Sequence, residues 1–123
     1  MGYRSDVAYI IEFDSFEDRD TYANLKLALV PDDPEHQAIL ECDYGRKDRP
    51  VITFKAEDVK WYPSYSDVQA HERLFRDVRE VFVTARWRFI ALGEDGQTEE
   101  DADDNGGVLY DDLYVVHQVA CTF

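Results

Sequence analysis

Nine carboxylates follow Arg88 with no Lys or Arg among them: Glu94, Asp95, Glu99, Glu100, Asp101, Asp103, Asp104, Asp111 and Asp112. Two kinds of chemistry use such a run. Carboxylates chelate hard cations, and they pair with the Lys and Arg side chains that otherwise grip phosphate. In an extended chain, alternate side chains point the same way about 6–7 Å apart. Phosphates along one DNA strand repeat at a similar distance. Asp101 and Asp103 have this spacing, as do Glu12 and Asp14, and Glu41 and Asp43. A folded surface carrying them, extended by Glu17 and Asp18, can imitate a phosphate backbone. A solvated loop needs only a few charges to stay soluble, and nine exceed that need.

Cation binding is the second reading. Asp101-Ala102-Asp103-Asp104-Asn105-Gly106-Gly107 fits the start of a calcium loop, D-x-[DN]-x-[DN]-G. Asp101, Asp103 and Asn105 would be ligands, Gly106 would make the sharp turn, and Gly107 would offer its carbonyl. Asp112 stands where such loops place a bidentate Glu, and the residues after it look like a strand rather than the exiting helix. Calcium is therefore the alternative, and the default is no cofactor.

For catalysis, His71, His117 and Cys42 are the residues able to supply a base and a nucleophile. His71 falls on a helix, and Cys42 and His117 fall in strand-like runs. No nucleophile–base–orienter order is fixed, and no phosphate-cradling Gly-rich loop or paired Cys motif exists. The reading is a non-enzyme.

The whole chain shares the late segment's bias. Its 123 residues carry 27 acidic and 13 basic side chains, a net charge of −14. Residues 1–88 hold 13 cations against 18 carboxylates, a balance of −5, and residues 89–123 carry −9. Such a field repels nucleic acid and membranes and attracts cationic protein grooves. A hydrophobic share of 45%, with 14% aromatic, is too apolar for a disordered acidic tail. One domain spanning 1–123 is expected. Cys42 and Cys121 read as free thiols. No run approaches the ~20 apolar residues of a membrane span, and no signal peptide is visible. A soluble, cytosolic protein is expected.

The elements that must position these groups follow from periodicity. Residues 7–13 alternate, with Val7, Tyr9, Ile11 and Phe13 on one face, and predict a strand. Ser15 and Asp18 resemble a capping box that opens a helix running to about Leu29, ended by Pro31 and Pro34. Residues 38–44 and 51–56 predict two strands joined by the basic turn 45–50, with Leu40, Cys42 and Tyr44 inward. Ser66 and Gln69 suggest a second capping box. Val68, His71, Phe75, Val78 and Phe82 step by three and four, as in a helix with one buried side. Arg73, Arg76 and Arg79 step along that helix and are expected to pair with Glu72, Asp77 and Glu80. Residues 84–92 form a further strand, with Trp87 and Phe89 on one face and Arg86 and Arg88 on the other. Residues 113–123 form the last, and 94–112 is a loop between these two. The order β-α-β-β-α-β-β predicts an α+β two-layer sandwich: a mainly antiparallel sheet of about five strands with two helices on one face.

Two stretches carry a resemblance. Met1-Gly2-Tyr3-Arg4-Ser5-Asp6-Val7 and Val59-Lys60-Trp61-Tyr62-Pro63-Ser64-Tyr65-Ser66-Asp67-Val68 are similar to a group of small acidic proteins encoded by tailed bacteriophages. The acidic late segment is similar too. The nearest resemblance within that group is to DNA-mimicking inhibitors of bacterial DNA gyrase. The resemblance implies a non-enzymatic inhibitor in the cytoplasm of an infected bacterium, occupying the surface with which gyrase holds DNA. Anti-CRISPR and anti-restriction proteins share this electrostatic logic, so a CRISPR effector or restriction enzyme is the alternative target. A structural phage protein is a further one. No direct nucleic-acid or membrane partner is expected, and a homodimer would lengthen the acidic track.

Overall fold

The computed structural model describes residues 4–103, 109, 112–115 and 119–123. Its centre is β1 (Ser5–Glu12), an unbroken apolar run in which Val7 through Ile11 are all buried. Alternation explains why both faces must be apolar. Val7, Tyr9 and Ile11 join the helix-side core, while Ala8 and Ile10 join a second core on the opposite face. β1 pairs antiparallel with β2 (Val51–Val59) on one side and β3 (Arg86–Gly93) on the other. β4 (Thr98–Ala102) adds antiparallel to β3, giving the order β2-β1-β3-β4. β5 (Leu113–Val115) and β6 (Val119–Cys121) form a small antiparallel sheet. Leu113, Val119 and Cys121 pack in the second core.

Three helices cover the first face. α1 (Phe16–Leu27) starts at Ser15, whose Oγ accepts from the Asp18 amide at 3.1 Å, as the capping pattern predicts. α2 (Pro34–Leu40) replaces the expected strand over 38–44. Asp33 caps it by accepting from the Glu35 amide, and Pro34 sits in its first turn, where proline lacks a donor that the helix does not use. Proline therefore opens a helix here instead of only ending one. Ala38 and Ile39 are buried, whereas Leu40 is 51% exposed. Of the predicted hairpin only an antiparallel bridge remains, between Asp43 and Thr53. α3 (Ser66–Arg76) buries Val68, His71 and Phe75 as its periodicity predicts, and Leu74 besides, but it ends before Val78 and Phe82. Its N-cap is Tyr65, without a side-chain bond, so Ser66 is not a capping residue. A 3-10 turn, Val78–Glu80, follows.

The α+β two-layer class with a mainly antiparallel sheet is thus present, with three helices rather than two. Aromatic stacking fills the main core. The Phe75 ring lies 4.8 Å from Tyr9, 4.9 Å from Trp87 and 5.1 Å from Phe89, centroid to centroid. Removing that ring leaves a cavity that its neighbours on β1 and β3 cannot fill. Phe75→Ala is expected to cost about 3–5 kcal/mol in urea unfolding. Leu25→Ala, on the exposed side of α1, should stay within about 0.5 kcal/mol.

Candidate functional site: the acidic surface

The register of β1 against β3 separates the acidic residues. Ser5 faces Gly93 at one end of the sheet, and Glu12 faces Arg86 at the other. Glu12, Asp14 and Asp112 gather at the second end, and there arginine neutralises them. Glu12 accepts from Arg86 Nε at 2.7 Å and from Arg49 Nη2 at 2.8 Å. Asp112 takes the other face of the Arg49 fork, at 2.5 and 3.1 Å. Asp112 and then Glu12 hold the Arg49 guanidinium above its ordinary pKa. Asp14 accepts from Thr84 and from Arg86, and these bonds hold its carboxyl below the usual range.

Arginine claims much of the late segment as well. Arg88, 8% exposed, donates to the Leu113 carbonyl at 2.8 Å and to Glu100 at 3.1 Å. Asp101 and Asp103, the expected phosphate-like pair, face the arginines that step along α3 and beyond it. Arg76 Nη1 lies 2.6 Å from Asp101, and Arg79 Nε lies 4.0 Å from Asp103. Arg76 also pairs with Glu72, as its spacing predicts, while Arg73 reaches Glu35 on α2. Ten of the thirteen Lys and Arg side chains make ion pairs with carboxylates among the described residues.

Further carboxylates gather at the first end. Glu94, Asp95 and Glu99 are exposed around the β3–β4 turn, where Gly96 adopts φ 85°. Asp95 accepts from the Gln97 amide and shapes that turn. Asp6, Asp58 and Glu94 line one shallow cavity there with Arg4, and Glu72, Asp95 and Glu99 line a second with Trp61. Sequence reading missed Asp6, Asp58 and Glu72. The Asp95-Gly96 pair between two chain segments was the available signal, since it marks a hairpin and sets the register that assembles this end. Glu17 and Asp18 lie in the first turn of α1, where negative charge complements the helix dipole. They do not line the cavities of the first end.

Asp104, Asn105, Gly106, Gly107 and Asp111 lie outside the described residues, so the calcium-loop reading falls largely there. Among the described residues, no group of three or more His, Cys, Asp or Glu is placed to hold a metal ion. Asp101 and Asp112 meet different arginines.

His71 and Cys42 do meet, through Tyr9. The Tyr9 hydroxyl lies 2.7 Å from His71 Nδ1 and 3.2 Å from Cys42 Sγ, and His71 Nε2 lies 3.2 Å from Glu41. Burial pushes the Cys42 thiol up to about 12, so it carries no thiolate at neutral pH. Burial raises Tyr9 and lowers His71. His117, the third member of that reading, lies outside the described residues. Both Cys42 and Cys121 are free, as expected. No helix among the described residues is long and apolar enough to cross a membrane. Compared with family models, curated proteins and solved structures, the chain matches none.

Two outcomes follow from this geometry. Arg49→Ala leaves Asp112 facing Glu12 without the shared guanidinium, while Glu12 keeps Arg86, so it should cost about 2–3 kcal/mol in urea unfolding. Adding Glu12→Gln and Asp112→Asn should recover part of the loss. His71 is faced by Tyr9, Glu41 and Asp67. Its folded pKa lies below the unfolded value of about 6.5, so acid protonates the unfolded chain first. The thermal midpoint should fall as pH drops below about 6.5, and His71→Gln should flatten that limb.

Proposed function

We propose that this chain is a non-enzymatic nucleic-acid mimic that binds the basic, DNA-holding groove of a host enzyme. One observation carries the reading: most of its cations are paired internally, so a net charge of −14 is presented to solvent largely as carboxylates. At the first end of the sheet Asp6, Asp58 and Glu94 gather around Arg4, and Glu72, Asp95 and Glu99 line the neighbouring cavity beside Trp61. Carboxylates on a folded scaffold bring fixed charge to a cationic groove without ordering a flexible tail. They release the same counterions that DNA would release.

The resemblance to gyrase-inhibiting phage proteins supplies the target, bacterial DNA gyrase, and the site of action, the cytoplasm of an infected host. A CRISPR effector or restriction enzyme with a comparable groove fits the same surface. The neutralised carboxylates Glu12, Asp14, Asp101 and Asp112 then serve chiefly to hold the fold, while Glu94, Asp95 and Glu99 make the contact.

The test is displacement of a fluorescent duplex from purified gyrase. The wild-type protein should displace it, and the displacement should weaken steeply with salt. Glu94→Gln, Asp95→Asn and Glu99→Gln combined should weaken it about tenfold or more at low salt with an unchanged melting temperature. Asp101→Asn should lower stability more than competition. Equal competition by the triple variant would remove the first end of the sheet from the interface.

A further inference from the structure

Among the described residues β2 is an edge strand, bridged on its outer side at Thr53. Asp43 and Thr53 exchange two backbone hydrogen bonds, at 2.8 and 3.0 Å. Thr53 therefore turns its N–H and C=O away from β1. By the two-residue repeat of a strand, Lys55 and Glu57 turn theirs the same way. Among the described residues no strand of the sheet lies beside them. Beyond them the edge is blunted, since the register shifts opposite Ser5 and Val7 and Asp58 takes φ 55°.

Two cavities flank this short open edge and share Glu41, Phe54 and Lys55. One, of about 330 Å³, reaches Thr53 and Phe123. The other, of about 400 Å³, has an aromatic floor. There the ring centroids of Phe54 and His71 are 4.3 Å apart, those of Trp61 and His71 5.7 Å, and those of Phe54 and Trp61 6.0 Å. Glu41 and Asp67, both exposed, line the same cavity. Lys55 and Lys60 line it too, but the Lys55 ammonium reaches the Phe123 carbonyl at 2.9 Å.

An added strand would lay side chains beside Phe54 and Lys55, where both cavities open. Aromatic faces beside carboxylates suit a guanidinium, which stacks on the rings and forks onto an acid. We propose that the open edge of β2 at Lys55 and Glu57 takes an extended, arginine-bearing segment of a basic protein partner, with one arginine over Trp61 and His71 between Glu41 and Asp67. The proposal rests on the reading that the partner is a basic protein. It adds a second contact, made through backbone pairing.

The probe is the peptide acetyl-Thr-Val-Arg-Val-Thr-amide, titrated into isotopically labelled full-length protein. Binding should protect the Lys55 and Glu57 amides from exchange and shift the Trp61 indole signal. Methylating alternate peptide nitrogens should abolish binding. Glu41→Gln with Asp67→Asn, both at exposed positions, should weaken it about tenfold. The proposal is overturned by no binding at millimolar peptide, by binding that leaves those two amides unprotected, or by indifference to the double substitution. Edge binding alongside failed displacement of duplex from gyrase would defeat the mimicry reading alone. Displacement without edge protection would defeat this one alone.

Discussion

Thirteen cations must serve twenty-seven carboxylates, and how they are allotted governs this molecule. Unopposed, that excess charge would push a chain of this size apart. The arginines go where layers meet. Arg49 and Arg86 clamp Glu12, Asp14 and Asp112 at the end of β1, joining the main sheet to the chain just before β5. Arg88 reaches from β3 to the Leu113 carbonyl at the start of β5. Arg76 and Arg79 tie the helical layer to β4 and the residue after it. Each is a bond between elements distant in sequence, and each leaves charge unbalanced elsewhere.

That allotment divides one acidic composition into two kinds of surface. At the Glu12–Arg86 end, acids and bases form a half-buried lattice in which bidentate arginine geometry holds the layers in register. At the Ser5–Gly93 end, strand ends and a tight turn bring together acids from several segments, with Arg4 among Asp6, Asp58 and Glu94. The buried β1 strand lets these two ends coexist. Its continuous apolar run supplies packing on both faces, which offsets the repulsion among the exposed acids.

Much of the fold was legible where local signals and tertiary packing agree. Val7, Tyr9 and Ile11 alternate onto the helix-side core, Ser15 caps α1, and Phe75 lies on the buried stripe of α3. The run at 38–44 is ambiguous because Ala-Ile-Leu suits a strand or a helix, and Pro34, which reads with Pro31 as a stop for α1, opens α2 behind the Asp33 cap. β4 was invisible because Thr98-Glu99-Glu100-Asp101-Ala102 lacks the apolar face that marks a strand. It is an edge strand held by backbone pairing to β3. The expected long final strand is two short ones, β5 and β6, paired with each other. For the site, charge was readable and its partners were not. Nothing local in Asp101 or Asp112 reveals that Arg76 and Arg49 will meet them from 25 and 63 residues away.

A folded surface rich in carboxylates has consequences only if a cationic groove meets it. The direct measurement is a pull-down from bacterial lysate with the purified protein as bait, in the presence and absence of excess duplex DNA. A nucleic-acid-binding enzyme that is retained at low salt and released by duplex is the predicted result, and a gyrase band would name the target. Retention of no nucleic-acid-binding protein at low salt would contradict the account.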